Sequence, residues 1–191
     1  MDLSDNKIKS FDNSANLVNL THFNISYNEL DSFANNKFEV LKVLDISHNK
    51  LQALVNPSIN SVEEFYLSDN RLNTLNQLNQ PKMRILDVSR NEIETVDGTT
   101  FDQATTIRIS DNIPLKTFTN NKWPLIKTLD FGESSLETFS GNTLSSVTEL
   151  IIHGALLNFD INTLGALKYL DLSSNKLPTI NLSRFPALEE V

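Results

Sequence analysis

The chain has 191 residues, 39% of them hydrophobic, with a formal net charge of -8 and no cysteine. The acidic balance argues against nucleic acid, which is bound through clustered Lys and Arg, and against anionic membrane surfaces. The lack of cysteine excludes thiolate catalysis, disulfides and cysteine-ligated zinc. No apolar run reaches the length of about 18 residues that a membrane-spanning helix needs, so we predict no membrane insertion by this segment.

One stretch, LKVLDISHNKL at residues 41–51, is repeated with changes along the whole chain. An asparagine recurs in it every 20 to 22 residues, except that Ser134 and Ala155 occupy two of the equivalent positions. Such a regular period predicts a solenoid, in which each coil packs only on its neighbours. The recurring asparagines are Asn6, Asn28, Asn49, Asn70, Asn91, Asn112 and Asn175.

Each repeat begins with two apolar residues that flank one outward position, as in Leu44-Asp45-Ile46. This alternation predicts a short strand, and stacked repeats would place such strands about 4.8 Å apart in one parallel sheet. The asparagine follows where the chain turns inward. Because its amide both donates and accepts, we predict a structural asparagine ladder that satisfies buried backbone groups.

A second apolar column precedes each repeat and predicts a core spine on the return side, with an aromatic ligand cage as the less favoured alternative. Repeats this short leave little room for a full helix, so we predict extended chain and 3₁₀ turns there. The spine comprises Leu17, Phe38, Ile59, Phe101, Trp123, Leu144, Leu164 and Phe185.

Three repeats depart from the pattern. Gln80 occupies a spine position, and one extra residue after Asn112 predicts a bulged turn. Ser134 and Ala155 stand where two successive repeats would have the asparagine. This substitution predicts a local irregularity around Gly154 and Ala155.

With these motifs the chain resembles leucine-rich repeat proteins over essentially its whole length. The resemblance implies an α/β class: a right-handed solenoid with a curved parallel sheet on the concave face and short 3₁₀ or extended segments on the convex face. Residues 1–191 are predicted to form a single domain of about nine repeats, cut within a repeat at both ends and without caps, as in a fragment of a longer protein. VEEFYLSDNRL and LKVLDISHNKL are more narrowly similar to insect leucine-rich immune proteins and Toll-like receptor ectodomains.

Nothing in the sequence predicts catalysis. The three histidines, His22, His48 and His153, fall too far apart for a catalytic triad or a shared metal ion. Glycine motifs that bind nucleotides are missing as well. We therefore predict no enzymatic activity, no cofactor and no metal.

An acidic column recurs on the predicted concave face. Its carboxylates could bind calcium. However, Asp followed by Ser is a common residue pattern in this family, and it favours hydrogen bonds at the strand end. The column comprises Asp2, Asp45, Asp87, Asp130 and Asp171.

The candidate partner-binding residues are outward residues that differ from the common residue pattern of the family. Several are aromatic or arginine, and such side chains contribute much of the energy at protein interfaces. The alternative is that individual members are tolerated surface residues. The first predicted patch comprises Tyr66, Arg84, Ile85, Arg90 and Arg108, with Tyr27 and His48 in a neighbouring column on the turn side. The second patch, where the ladder is interrupted, comprises Ile151, His153 and Tyr169.

These features predict a non-enzymatic module that binds a protein or peptide on its concave face. The narrower resemblance implies an extracellular or cell-surface role in innate immunity, and Asn19 and Asn181 lie in N-glycosylation sequons. An intracellular, cytoplasmic adaptor or regulatory subunit is one alternative. A self-assembling structural solenoid is the other.

Overall fold

The computed structural model of the chain describes residues 1–11, 17–34, 36–54, 59–75, 78, 81–160 and 162–191. This part of the chain contains short strands and a single 3₁₀ helix. The strands are β1 (His22–Asn24), β2 (Val43–Asp45), β3 (Glu64–Tyr66), β4 (Ile85–Asp87), β5 (Thr95–Asp97), β6 (Thr106–Arg108), β7 (Thr117–Thr119), β8 (Thr128–Glu133), β9 (Thr138–Ser140), β10 (Glu149–His153), β11 (Asn158–Asp160) and β12 (Tyr169–Asp171), and the helix is Leu182–Arg184.

Eight strands, one from each successive coil, form what we call the strand face. In it β1, β2, β3, β4 and β6 pair in parallel in that order, and β8, β10 and β12 form a second parallel block. Phe23 pairs with Leu44, and Leu44 with Phe65, so each step along the sheet advances the chain by one coil. These central residues are buried because alternate side chains of a strand point to opposite faces. The predicted parallel-stranded solenoid is confirmed.

A second sheet forms on the return side of four successive coils, where the sequence predicts extended chain. It contains β5, β7, β9 and β11, again parallel, with Val96, Phe118 and Phe139 in register at its centre. Within the described residues the only helix is the 3₁₀ turn Leu182–Arg184. The α/β class is therefore not confirmed, because the described return side carries strands and extended chain and the one helix is a single 3₁₀ turn.

The core is a continuous apolar column between the two sheets. Phe118, Phe139 and Phe159 stack face to face along it, with ring centroids 5.3 and 5.4 Å apart. Trp123 packs edge-on against Phe118 and is fully buried. The spine position at Gln80 lies outside the described residues.

The strand face is interrupted between β6 and β8. The two strands lie side by side without forming a ladder. Further on, the register between β8 and β10 shifts by one residue, because Asp130 faces Ile151 whereas Glu133 faces His153. The sequence predicts an irregularity around Gly154 and Ala155, and the register shift itself ends at His153, directly before them.

The extra residue after Asn112 explains why the ladder can lose its next asparagine. Leu115 takes the core position that Ile93 holds in the preceding coil. The N–H of Ile93 donates to the Asn112 side chain at 3.2 Å, whereas that of Leu115 turns back to the Asn112 carbonyl at 2.9 Å. The N–H of Leu115 therefore has an acceptor without an asparagine at position 134, where the chain has serine.

No helix in the described part of the chain combines the length and apolar character needed to cross a membrane.

Candidate functional site

The ladder asparagines fix the turns that end the strand face. Asn49 Nδ2 donates to the carbonyls of Ile25, Ile46 and Ser47 at 3.0 to 3.2 Å, while its Oδ1 accepts the N–H of Leu30 at 2.9 Å. One side chain thus ties two consecutive coils together and satisfies backbone groups that the turn removes from water. The same pattern of bonds occurs at Asn28, Asn70, Asn91 and Asn112.

Of the two outermost ladder residues, Asn175 keeps all four bonds of the pattern, whereas Asn6 shows only the two donor bonds within its own coil among the described residues. Asn6 donates to the carbonyls of Leu3 and Ser4. Asn175 accepts the N–H of Leu156 at 3.0 Å and donates to the carbonyl of Ile152 at 2.6 Å. Ile152 and Leu156 lie on either side of Ala155, so Asn175 binds the coil that lacks its own ladder asparagine, and the ladder resumes there.

The residue before each ladder asparagine has a positive φ and its side chain faces solvent. We call Tyr27, His48, Asp69 and Arg90, whose φ values are 51 to 53°, the turn row. Tyr27 stacks on His48 with ring centroids 3.9 Å apart, and His48 Nδ1 lies 3.4 Å from Asp69 Oδ2. Arg90 donates to both carboxylate oxygens of Asp69, through Nε at 2.8 Å and Nη2 at 2.7 Å.

Electrostatics reinforce the turn row. The hydrogen bonds from the Arg90 guanidinium, with the nearby His48, hold the pKa of Asp69 below its ordinary value. Arg90 nevertheless keeps 54% of its side chain exposed, and Tyr27 is 56% exposed. The row is therefore both ordered and accessible.

The strand face carries Tyr66 and Arg108 at outward positions two coils apart. In register, Tyr66 pairs with Asp87, and Asp87 with Arg108. The Tyr66 hydroxyl donates to Glu64 at 3.0 Å, and burial together with this bond raises the pKa of Tyr66. Arg108 is exposed.

The other members of the first predicted patch spread along β4. Ile85 is half-buried at the start of the strand, and Arg84 is exposed directly before it. Arg90 comes three residues after the strand, in the turn row. The structure thus places Tyr66 and Arg108 on one row, with Arg84 and Arg90 at opposite ends of the strand between them.

The acidic column is engaged in the strand-end hydrogen bonding that its sequence favours. Asp45 Oδ1 accepts both the backbone N–H and the hydroxyl of Ser47, at 2.9 and 2.6 Å, and Asp87 binds Ser89 in the same way. No group of three or more His, Asp or Glu side chains among the described residues is arranged to hold a metal ion.

The second predicted patch lies on β10 and β12. Ile151 is half-buried on β10 between Asp130 and Asp171, its register partners. His153 Nε2 is 3.0 Å from Asp171 Oδ2. The pKa of Asp171 is lowered to about 2. The largest cause is the hydrogen bond from the backbone N–H of Ser173, and the next is the hydrogen bond with the His153 side chain. Tyr169, at the start of β12, is half-buried.

Both predicted glycosylation acceptors are exposed. Asn19 lies in a turn. Asn181 precedes the 3₁₀ helix, where its Oδ1 accepts the backbone N–H and the hydroxyl of Ser183 at 3.1 and 2.6 Å.

A second asparagine ladder, which the sequence analysis missed, runs beside the second sheet. Asn142 Oδ1 accepts the backbone N–H of Asn121 at 3.0 Å, and Asn162 Oδ1 accepts that of Asn142 at 3.2 Å. Thr99 begins the row by donating its hydroxyl to Asn121 Oδ1 at 2.7 Å and accepts the Trp123 indole N–H at 3.0 Å. The 20- to 21-residue spacing of these asparagines was the signal available in the sequence.

Comparison with known proteins identifies the repeat. Residues 40–62 and 166–188 match the family model described as Leucine Rich Repeat. These two matches and the parallel-stranded solenoid together support a leucine-rich repeat protein. Leucine-rich repeats commonly mediate protein–protein interaction, and their solenoids are typically non-enzymatic scaffolds. Neither the comparison with curated proteins nor that with solved structures returned a match.

Proposed function

We propose that the chain is a non-enzymatic recognition module whose strand face and turn row bind a protein partner. The observation that carries the proposal is the turn row, in which Tyr27, His48, Asp69 and Arg90 hold one another in place while remaining accessible. Side chains that are already ordered lose less conformational entropy on binding, so their contacts contribute more to affinity. Tyr and Arg are also the residue types that dominate interface energies.

The strand face adds a second group of suitable side chains beside the turn row. Tyr66 presents a large ring whose hydroxyl is already fixed by Glu64. Arg84, directly before β4, and Arg108, two coils along the strand face from Tyr66, carry exposed guanidinium groups that can form paired hydrogen bonds with carboxylates. A partner that presents acidic and aromatic side chains fits this surface.

Site-specific photocrosslinking tests the proposal, because it captures whichever protein contacts the labelled position. A benzoylphenylalanine in place of Tyr66 should crosslink one defined protein from an extract of the source organism. The same group in place of Lys122, which is exposed beside the second sheet, serves as the matched control. Equal products from both positions, or none from position 66, would contradict binding at the strand face.

A quadruple substitution then tests the named residues. Replacing Tyr66, Arg84, Arg90 and Arg108 with Ala should abolish capture of that protein by the full chain. The Tm should change little, because the exposed pair of Arg90 with Asp69 contributes only about 0.2–1 kcal/mol. A control with Ala at Lys116 and Lys122 should bind normally. Undiminished capture by the quadruple variant would place the interface elsewhere.

The proposal includes an extracellular or cell-surface location with a role in innate immunity. Its support is the similarity of the repeat sequences to those of leucine-rich immune proteins, together with the exposure of Asn19 and Asn181. Export of the chain through a eukaryotic secretory pathway, followed by peptide mapping, should reveal glycans on these residues. An unmodified Asn181 in the exported protein would contradict the glycoprotein part of the proposal.

A further inference from the structure

A cleft of about 390 Å³ opens on the strand face over the first three strands. Val43, a half-buried apolar residue on the middle strand β2, forms its floor. His22 on β1 and Tyr66 on β3 line it on either side of Val43, and the His22 side chain is exposed. The cleft therefore shares Tyr66 with the surface that we propose to bind a partner.

A hydrogen bond fixes the direction of the Tyr66 ring. Its hydroxyl donates to the Glu64 carboxylate at 3.0 Å. Glu64 is the register partner of Val43, and Val43 is that of His22. The far end of the ring is therefore held near the row of outward side chains that contains His22 and Val43. Because the ring is already ordered, it loses little conformational entropy when a ligand packs against it.

The spacing of the two side walls suits an aromatic ring. Neighbouring strands lie about 4.8 Å apart, so β1 and β3, which are separated by β2, lie about 9.6 Å apart. Aromatic pairs prefer ring centroids about 4.5–7 Å apart. A ring above Val43, midway between His22 and Tyr66, contacts both of them at such a separation.

The rim of the cleft is acidic. Asp2 and Asp45 line it, and Oδ1 of each accepts hydrogen bonds from the serine two residues later. Within the described residues their Oδ2 atoms form neither a hydrogen bond nor an ion pair. No Lys or Arg of that part of the chain lines the cleft, and the amino group of Met1 donates to the carbonyl of His22. Charge complementarity therefore favours a basic group beside the ring.

We propose that the cleft over Val43 receives an aromatic side chain of the partner whose neighbouring residue is basic, an inference that rests on the proposed function. The ring supplies the apolar contact, as aromatic anchors do at the centre of protein interfaces. The basic side chain beside it reaches Asp2 or Asp45 at the rim. The acidic side chains of the partner then lie opposite Arg84 and Arg108, in later coils of the strand face.

The test uses the peptide acetyl-Lys-Phe-Lys-amide as the probe and the full chain labelled with ¹⁵N. Titration should shift the amide signals of Asn24, Val43 and Tyr66 in a saturable way. Acetyl-Lys-Ala-Lys-amide carries the same charge without the ring and should bind about tenfold more weakly, because it buries less apolar surface. Shifts scattered over the surface, or equal affinities of these two peptides, would overturn the inference.

Two further peptides separate the aromatic and the basic parts of the inference. Acetyl-Lys-Leu-Lys-amide should bind about threefold more weakly than the probe, since it lacks the aromatic contacts; equal affinity would overturn the aromatic assignment in favour of an aliphatic occupant. Acetyl-Glu-Phe-Glu-amide should bind about fivefold more weakly at low salt, and the difference should shrink at high salt. Affinity independent of the peptide charge would overturn the basic neighbour.

A substitution in the floor assigns the interaction to the cleft. Val43→Lys places a cation beneath the ring and should weaken binding of the probe about tenfold. The matched control is Thr106→Lys, because Thr106 is also half-buried and lies in the same outward row, three coils farther along the sheet. It should bind the probe normally. Equal affinities of the two variants would overturn the inference.

A substitution in the wall tests the aromatic contact from the side of the chain. Tyr66→Ala removes one of the two rings and should weaken binding of the probe about two- to tenfold, the range expected for an aromatic pair. Its affinity for acetyl-Lys-Ala-Lys-amide, which has no ring to contact, should stay that of the wild type. An equal loss of affinity for both peptides would overturn the inference.

Failure of this inference and failure of the proposed function are distinguishable. Binding of the probe requires no partner, so it is independent of crosslinking from position 66. A defined crosslink without saturable binding of the probe would overturn only the inference about the cleft. Binding of the probe without that crosslink would support the cleft and overturn the proposed function.

Discussion

Replacement of Asn91 with Ala should destabilise the solenoid through one backbone group. Asn91 Nδ2 donates to the carbonyls of Leu67, Val88 and Ser89 at 3.0 to 3.2 Å. Its Oδ1 accepts the N–H of Leu72 at 3.0 Å. The alanine variant loses all four contacts, but their energetic consequences differ.

The magnitude follows from which groups keep another partner. The three carbonyls each retain a second donor at 3.1 Å, from Asn70, Asn112 and the backbone N–H of Asp69. The N–H of Leu72 has no second acceptor among the described residues, and Leu72 is 1% exposed. A buried donor left without a partner costs about 1–3 kcal/mol. We expect the free energy of unfolding to fall by that amount.

Urea unfolding followed through the fluorescence of Trp123, the one tryptophan, measures the effect. Asn73→Ala is the matched control because Asn73 is exposed and belongs to the same region of the solenoid. The Asn91 variant should unfold at lower urea with an unchanged m-value, whereas the control should stay near the wild type. Faster hydrogen exchange at the Leu72 amide would localise the effect. Equal, small shifts for the two variants would refute the reasoning.

Three other outcomes are expected. Asn142→Ala should cost about 1–3 kcal/mol in the same urea assay, because the backbone N–H of Asn121 loses its acceptor; an unchanged midpoint would contradict a structural second ladder. The pKa of Asp171 is about 2, below its ordinary 3.8, so its contribution to stability is complete above pH 4 and is lost as the pH falls toward 2. The stability difference between wild type and Asp171→Asn should shrink over that range, and a constant difference would count against the assignment. Gly154→Ala should lower the Tm more than Gly98→Ala, because at φ +150° its Cβ would lie 2.6 Å from a carbonyl oxygen, whereas the space beside Gly98 is open; equal changes in Tm would refute this.

The repeat itself could be derived from the sequence because its physical causes are local and periodic. Residues such as Phe23, Leu44 and Phe65 alternate with outward residues within three positions, and alternation at that period has few solutions other than a strand. Repeating it every 21 residues or so requires stacking, since no single coil can bury its own apolar side.

The candidate site was only partly accessible to the same reasoning. The outward direction of Tyr66 and Arg108 follows from strand alternation, and the turn side of Tyr27 from its place before an asparagine. That Arg90 binds Asp69 through two oxygens depends on side-chain torsions in neighbouring coils. Those torsions have no signature in the residue order.

Tertiary structure alone decided how the coils adjust to departures from the repeat. One extra residue after Asn112 moves Leu115 into the core and turns its N–H back on the preceding carbonyl. Asn121 and Asn142 become a ladder only because stacking brings residues about 21 positions apart into hydrogen-bond distance. Sequence order therefore determines the period and the inward face of each coil, while contacts between coils decide where the sheet is interrupted, because their partners are distant in the chain.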